Sequence, residues 1–276
     1  MNSPGFDTAR EDLAASMTPS PELPPTWEGA KARLGRARKL VAIGGLLAGL
    51  IAFGVGEAVY NVIPAQRVLQ KIKMSNIELM RPTQETENVA AVKNAALTFG
   101  LLGVCLGGFL GIAGGLARRS TSAAVTAGFL GAVLASALGV GVSLALLPYC
   151  LKAQLYHTDN DLIIALLMHS LIWGSVGAIA GLAFAIGLGE RRLVLHAVTA
   201  SLAGAVLGTI AYELIGAALF SSAETVNPIS MTWPTRLMAR LLVTVGTAVV
   251  LALILAKPRD AAPVSQAEAS APLLKP

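Results

Sequence analysis

The chain has 276 residues, of which 54% are hydrophobic and 13% charged, with a formal net charge of +5. Soluble proteins carry about 25% charged residues, so this composition argues against an ordinary soluble protein. The basic residues stand in short runs beside long uncharged stretches, as membrane topology signals do, and not on a surface for nucleic acid. We therefore predict an all-α integral membrane protein without a nucleic-acid partner.

The two ends of the chain are predicted to be disordered cytoplasmic tails, 1–25 and 258–276. Residues 1–25 contain six prolines or glycines and few large apolar side chains, too little to form a core. The membrane domain is predicted to span 26–257. A basic run precedes its first apolar stretch and is expected to contact anionic lipid headgroups. This run consists of Lys31, Arg33, Arg36, Arg38 and Lys39.

Six apolar stretches are long enough to cross a hydrocarbon layer of about 30 Å. Between the first two, the apolar residues of 64–91 recur at helical spacing, which predicts an amphipathic segment with a helix lying on the outer surface. After Pro82, the residues from Thr83 to Lys93 are predicted to extend the second span as a helix. The predicted spans are 40–61, 93–116, 121–148, 162–188, 193–220 and 236–256.

Positive residues at the ends of these spans predict the orientation. The arginine pairs 118–119 and 191–192, the basic run before the first span and the residues after the last span all fall on one side. The positive-inside rule places that side, and hence both termini, in the cytoplasm of an inner-membrane protein. The predicted outer segment 62–92 is the exception, because it also carries four basic residues.

An internal similarity connects spans two and three with spans four and five. Residues 118–135 and 191–208 are identical at ten of 18 positions, including the arginine pair. This similarity predicts a parallel repeat of one helical hairpin, related by an axis along the membrane normal.

Glycines recur at every fourth position on several spans, so that they share one helix face. Such faces let helices approach closely, which is the main source of packing in lipid. Packing within the monomer is the first interpretation; a homo-oligomer interface and a narrow pore are alternatives. The helix-packing glycines are Gly103, Gly107, Gly111, Gly115, Gly177, Gly181, Gly204 and Gly208.

Five ionisable residues lie in the outer third of the predicted bilayer: Glu57, His169, Glu213, Arg236 and Arg240. In a structural interpretation, Glu213 pairs with Arg240, and His169 is a neutral packing residue. Glu57 and Arg236 would then reach the headgroups by extending their side chains. In a functional interpretation, the five residues form an outward-facing polar pocket for an ion, a proton or a small anion.

No enzyme, metal or cofactor is predicted. Ser175 lies in a glycine-rich stretch of the fourth predicted span, but a serine nucleophile needs a base, and the sixth span contains no histidine. The loops carry no metal-ligand cluster or phosphate-binding motif. No proline interrupts a predicted span, whereas transporters often break their helices. We therefore expect a structural, assembly or partner-binding membrane protein that contacts itself or other membrane proteins. The alternative is a small-solute or ion permease.

Overall fold

The computed structural model describes residues 27–71, 78–156, 161–220 and 225–256. Both predicted tails lie outside these residues. The chain divides into two compact units, 1–32 and 33–276. Of the first unit only 27–32 are described, and they are helical. The second unit contains the remaining elements and the candidate site.

The regular structure of the described chain consists of six long helices, one short hairpin and a 3-10 helix of three residues, Arg191–Leu193. All six helices are long and apolar enough to cross a membrane. The protein is therefore an all-α, multi-pass integral membrane protein, and the prediction of six spans is confirmed. The helices are α1 (Trp27–Ala58), α2 (Gln84–Ala117), α3 (Thr121–Tyr156), α4 (Asp161–Leu188), α5 (Val194–Leu219) and α6 (Trp233–Ile254); strands β1 (Arg67–Lys71) and β2 (Glu78–Pro82) lie between α1 and α2.

Helix α2 begins well before its apolar span, and its sequence explains where. The backbone N–H of Thr86 donates to the Thr83 hydroxyl, and the N–H of Thr83 donates to the Thr86 hydroxyl at 2.9 Å, forming a capping box. Glu85 and Glu87 add negative charge to the first turn, which favours the positive end of the helix dipole. The predicted extension from Thr83 to Lys93 is confirmed.

The helix predicted on the outer surface before Pro82 is wrong. Strands β1 and β2 pair antiparallel there, from Arg67 opposite Pro82 to Lys71 opposite Glu78. A short apolar pattern such as that of Val68 and Met80 fits either a helix or a strand. Pro82 is the last residue of β2. Proline has no N–H to donate, and this is tolerated at the end of a strand.

Helix α3 also differs from its prediction, because it continues past residue 148 and contains Pro148. The proline lies near the end of the helix that is joined to α4. There it lines an open groove with Leu144 and Leu151. Membrane helices tolerate an internal proline where neighbouring groups or water reach the freed carbonyl. The predicted span 121–148 ended at this proline. The observed helix continues beyond it, so the expectation that no proline lies inside a spanning helix is wrong for α3.

The two ends of the bundle differ in chemistry. We call one the hairpin end, since it carries the β-hairpin and the segments that join α1 to α2, α3 to α4 and α5 to α6. We call the other the arginine end, because the turns at Arg118–Arg119 and Arg191–Arg192 lie there. At this end the Arg33 guanidinium pairs with Glu190, each side chain being 32% exposed. Exposed pairs of this kind contribute about 1 kcal/mol or less.

The basic residues expected to contact headgroups have different environments. Besides Arg33, Arg36 donates to the Ala117 carbonyl at 3.5 Å. Arg38 and Lys39 are exposed. The side chain of Lys31 lies outside the described part of the chain. The contact of this run with lipid headgroups stays a prediction.

The predicted glycine ridges lie where helices touch. Gly103, Gly107, Gly111 and Gly115 of α2 lie against the α3 backbone at Ala135, Gly131, Ala127 and Ala124 in turn. A Cβ on any of these α2 glycines would overlap that backbone. Gly177 and Gly181 of α4 lie in the same way against the α5 backbone at Ser201 and Ala197. Gly204 and Gly208 of α5 lie against the α6 backbone at Gly246 and Leu242.

The internal similarity does not produce equivalent packing. Gly131 of α3 faces Gly107 of the preceding helix, whereas Gly204, its counterpart in the alignment, faces Gly246 of the following helix. The residue with positive φ also differs, being Arg119 in the first turn and Gly189 in the second. The repeat therefore stays a prediction from the sequence.

Candidate functional site

The five ionisable residues predicted to share one depth all lie at the hairpin end, but they form two clusters. The arginine cluster contains Glu57 of α1 with Arg236 and Arg240 of α6. The histidine cluster contains His169 of α4 and Glu213 of α5, surrounded by Phe99, Trp173 and Tyr212.

Arg236 is held on several sides in the arginine cluster. Its Nε and Nη2 donate to the two carboxylate oxygens of Glu57 at 2.7 and 2.6 Å. Its Nη1 donates to the carbonyls of Ser230 at 3.1 Å and Met231 at 2.6 Å. The Tyr60 ring centroid lies 3.8 Å from its Cζ. The side chains are 8% exposed for Arg236 and 27% for Glu57. Arg236 is therefore bound by Glu57 and these carbonyls and does not extend alone to the headgroups as expected.

Arg240 is also buried, but its guanidinium makes fewer hydrogen bonds than that of Arg236. Its Nη1 donates to the Phe53 carbonyl at 3.0 Å, and its nearest Glu57 oxygen lies at 3.7 Å, beyond hydrogen-bonding distance. The guanidinium lies against Gly56, where a Cβ would come within 2.6 Å of Nη1. Glycine at this position therefore makes the space that Arg240 occupies beside α1.

The partner of Glu213 is His169, not Arg240 as predicted. His169 Nδ1 lies 2.5 Å from Glu213 Oε1, and its Nε2 lies 3.4 Å from the Pro228 carbonyl. A proton lies between Nδ1 and the Glu213 carboxylate, so the two side chains form a hydrogen-bonded pair. The contact gives the buried Glu213 carboxylate a hydrogen-bond partner, and each side chain is 1% exposed.

Aromatic rings enclose the His169–Glu213 pair. The imidazole stacks on Trp173 at a centroid distance of 4.4 Å, and Tyr212 meets it edge to face at 5.9 Å. His169 and Trp173 are four residues apart on α4, which places them on one helix face. Phe99 of α2 contacts both rings edge to face. These rings give the pair an apolar environment, where a hydrogen bond is stronger than in water.

A small cavity separates the two clusters. It has a volume of about 30 Å³ and includes Arg236 and Arg240 on one side and Trp173 and Tyr212 on the other. Such a space holds one or two water molecules. A larger cleft of about 460 Å³ lies beside it, with Tyr60, Asn61, Glu87, Asn88, Ala91, Asn94, Leu151, Asn227 and Met231 in its wall, and Pro228 and Ile229 shared with the cavity.

The segment before α6 closes the site, and its role could not be predicted from the sequence. Pro228 contacts His169, and Ser230 and Met231 accept hydrogen bonds from Arg236. These contacts use backbone carbonyls, which every residue type has, so the sequence carries no signal for them. Trp173 was foreseeable from its helical spacing to His169, and Tyr60 and Tyr212 were foreseeable from their depth in the predicted spans.

Asn94 fixes the chain after α1 to α2. Its amide Nδ2 donates to the Ile63 carbonyl at 2.9 Å, and the Ile63 N–H donates to its Oδ1 at 3.0 Å. Replacing Asn94 by alanine is expected to cost about 1–2 kcal/mol by leaving both backbone groups unpaired. Hydrogen exchange at the Ile63 amide should accelerate, and Asn94→Asp, which loses the donor, should accelerate it less. An unchanged exchange rate in both variants would contradict the assigned role.

The described residues contain no group of three or more His, Cys, Asp or Glu side chains that could hold a metal ion. Cys105 and Cys150 are free thiols.

The fold and the site together define the class of protein: a multi-pass membrane protein of six helices with a buried polar site at one end. Comparison with protein families, curated proteins and solved structures finds no match. The case for a function therefore depends on the geometry of this chain.

Proposed function

We propose that the protein is a packed, non-conducting membrane scaffold that binds a partner protein through its hairpin end. In the orientation expected from the arginine pairs, this end faces away from the cytoplasm. The close backbone contact between α2 and α3, along the whole glycine ridge of α2, carries the proposal.

Packing between the small cavity and the arginine end supports a non-conducting bundle. Leu106 and Leu110 of α2 and Phe184 of α4 are fully buried there. Gly107 and Gly131 bring α2 and α3 into backbone contact at the same level. A chain of water molecules needs polar partners at each step, and these residues supply none with their side chains.

The β-hairpin supports partner binding. It is a two-stranded sheet, so each strand has one edge without a strand partner among the described residues. Exposed strand edges bind extended segments of other proteins. Val68 and Met80 on these strands are exposed, Met80 at 60%.

Site-specific photo-crosslinking in native membranes tests this proposal. A photoreactive residue at Met80, and separately at Val68, should form one discrete protein adduct, the same from both positions. Val125, which is exposed on α3 near the arginine end, is the matched control and should crosslink to lipid alone. Adducts absent from the hairpin positions, or identical from all three, would contradict the proposal.

A small-ion permease is the second candidate. The observation that favours it is the cavity beside the open cleft, with Arg236 and Arg240 in its wall. A permease needs a continuous path through the bundle in at least one state, so a flux measurement separates the two candidates.

A further inference from the structure

We propose that the cavity between the two clusters binds a small monovalent anion of the halide type, held by Arg240 and by the indole N–H of Trp173. This site goes beyond the scaffold role and does not depend on it.

The charges of Glu57, Arg236 and Arg240 do not balance. Both oxygens of Glu57 bind Arg236 at hydrogen-bonding distance, whereas Arg240 lies 3.7 Å from the nearer one. One carboxylate therefore faces two guanidiniums, which leaves one positive charge. Glu213, bound to His169, makes no ion pair with either arginine. A buried charge that lacks a partner is unfavourable, and one anion beside Arg240 balances it.

Arg240 and Trp173 have N–H donors without an acceptor among the described residues. A guanidinium has five N–H groups, and the hydrogen bond from Arg240 to described residues is the one from Nη1 to Phe53. The Nε1–H of Trp173 is buried and has no acceptor among the described residues. Arg240 and Trp173 both line the cavity. Buried polar groups are normally satisfied, so these donors indicate an acceptor that the chain itself does not provide.

The size and lining of the cavity restrict the ligand. A volume of about 30 Å³ is sufficient for one monatomic anion, which is close to a water molecule in size. Phe99, Leu102 and Ile229 form apolar parts of the wall. Such a lining disfavours strongly hydrated ions, and a single positive charge disfavours divalent ones.

The fluorescence of Trp173 provides a direct test. In the background Trp27→Phe, Trp233→Phe, Trp173 is the one tryptophan left in the sequence. Bromide, a heavy-atom quencher, is titrated against gluconate at constant ionic strength with the protein in detergent. Quenching should saturate, and Arg240→Gln should weaken the saturable phase by about tenfold or more. Arg38→Gln, which changes an exposed arginine at the other end, should leave it unaltered.

Linear quenching without saturation, equal in the background protein and in Arg240→Gln, would mean that the cavity holds water alone and would overturn the proposal. Should Arg240→Gln fail to fold, the unsubstituted chain gives a second readout. A ligand that binds the folded state raises the melting temperature with its concentration. Bromide should raise it relative to gluconate at equal ionic strength, and equal melting temperatures in the two salts would also overturn the proposal.

Discussion

Replacing Glu57 by glutamine is expected to lower the free energy of unfolding by about 3 kcal/mol, one of the largest effects of any single polar substitution in this chain. The change removes the carboxylate that contacts both buried arginines and leaves Arg236 with carbonyl acceptors alone. The estimate takes the lower end of the range for buried pairs, because Glu57 is partly exposed. Reversible unfolding in mixed micelles measures it.

Double-mutant cycles provide the control, since they isolate the interaction between two side chains. Glu57→Gln combined with Arg236→Gln should show a coupling energy of about 2 kcal/mol or more. Glu213→Gln combined with Arg240→Gln should be additive within about 0.5 kcal/mol, because these residues belong to different clusters. Strong coupling in the second cycle, with none in the first, would mean that the assigned pairs are wrong.

Replacing Gly131 by alanine is the second substitution expected to have a large effect. A Cβ at this position would lie 2.6 Å from the Ala183 Cβ and would overlap the Gly107 carbonyl. Helix α3 would have to move away from both α2 and α4, at a cost of about 2–3 kcal/mol. The thermal stability of the purified protein in detergent reports this loss.

Gly141 is the matched control, because it lies on the same helix and a Cβ there would meet nothing within 4 Å. Gly141→Ala should be neutral, or stabilising by up to about 1 kcal/mol through helix propensity. Equal losses in the two variants would show that α3 is sensitive to any added methyl group and that the contact with Gly107 has no special importance.

The sequence was sufficient for the six helices because hydropathy over a span-length window is a strong signal. The sequence did not predict the hairpin, because a short apolar run fits the periodicity of a helix as well as that of a strand. The end of α3 was also missed. Pro148 marks the end of the apolar run there, but the helix continues through it into a more polar segment that contains Lys152.

The site was predicted in position but not in pairing. The rise of the helix fixes the depth of each residue, and depth alone placed Glu57, His169, Glu213, Arg236 and Arg240 at one end. Which side chains meet depends on the order and rotation of the helices in the bundle. The sequence gives no direct measure of either, so Glu213 was assigned to Arg240 when its neighbour is His169 of α4.

Ion flux into liposomes that contain the purified protein tests the central claim most directly. With a membrane potential imposed, dyes sensitive to chloride and to protons should report the same rates as in protein-free liposomes, because packed helices close the bundle between the cavity and the arginine end. A flux that rises with the amount of protein, and that Arg240→Gln abolishes while the protein stays folded, would contradict the scaffold and establish a permease.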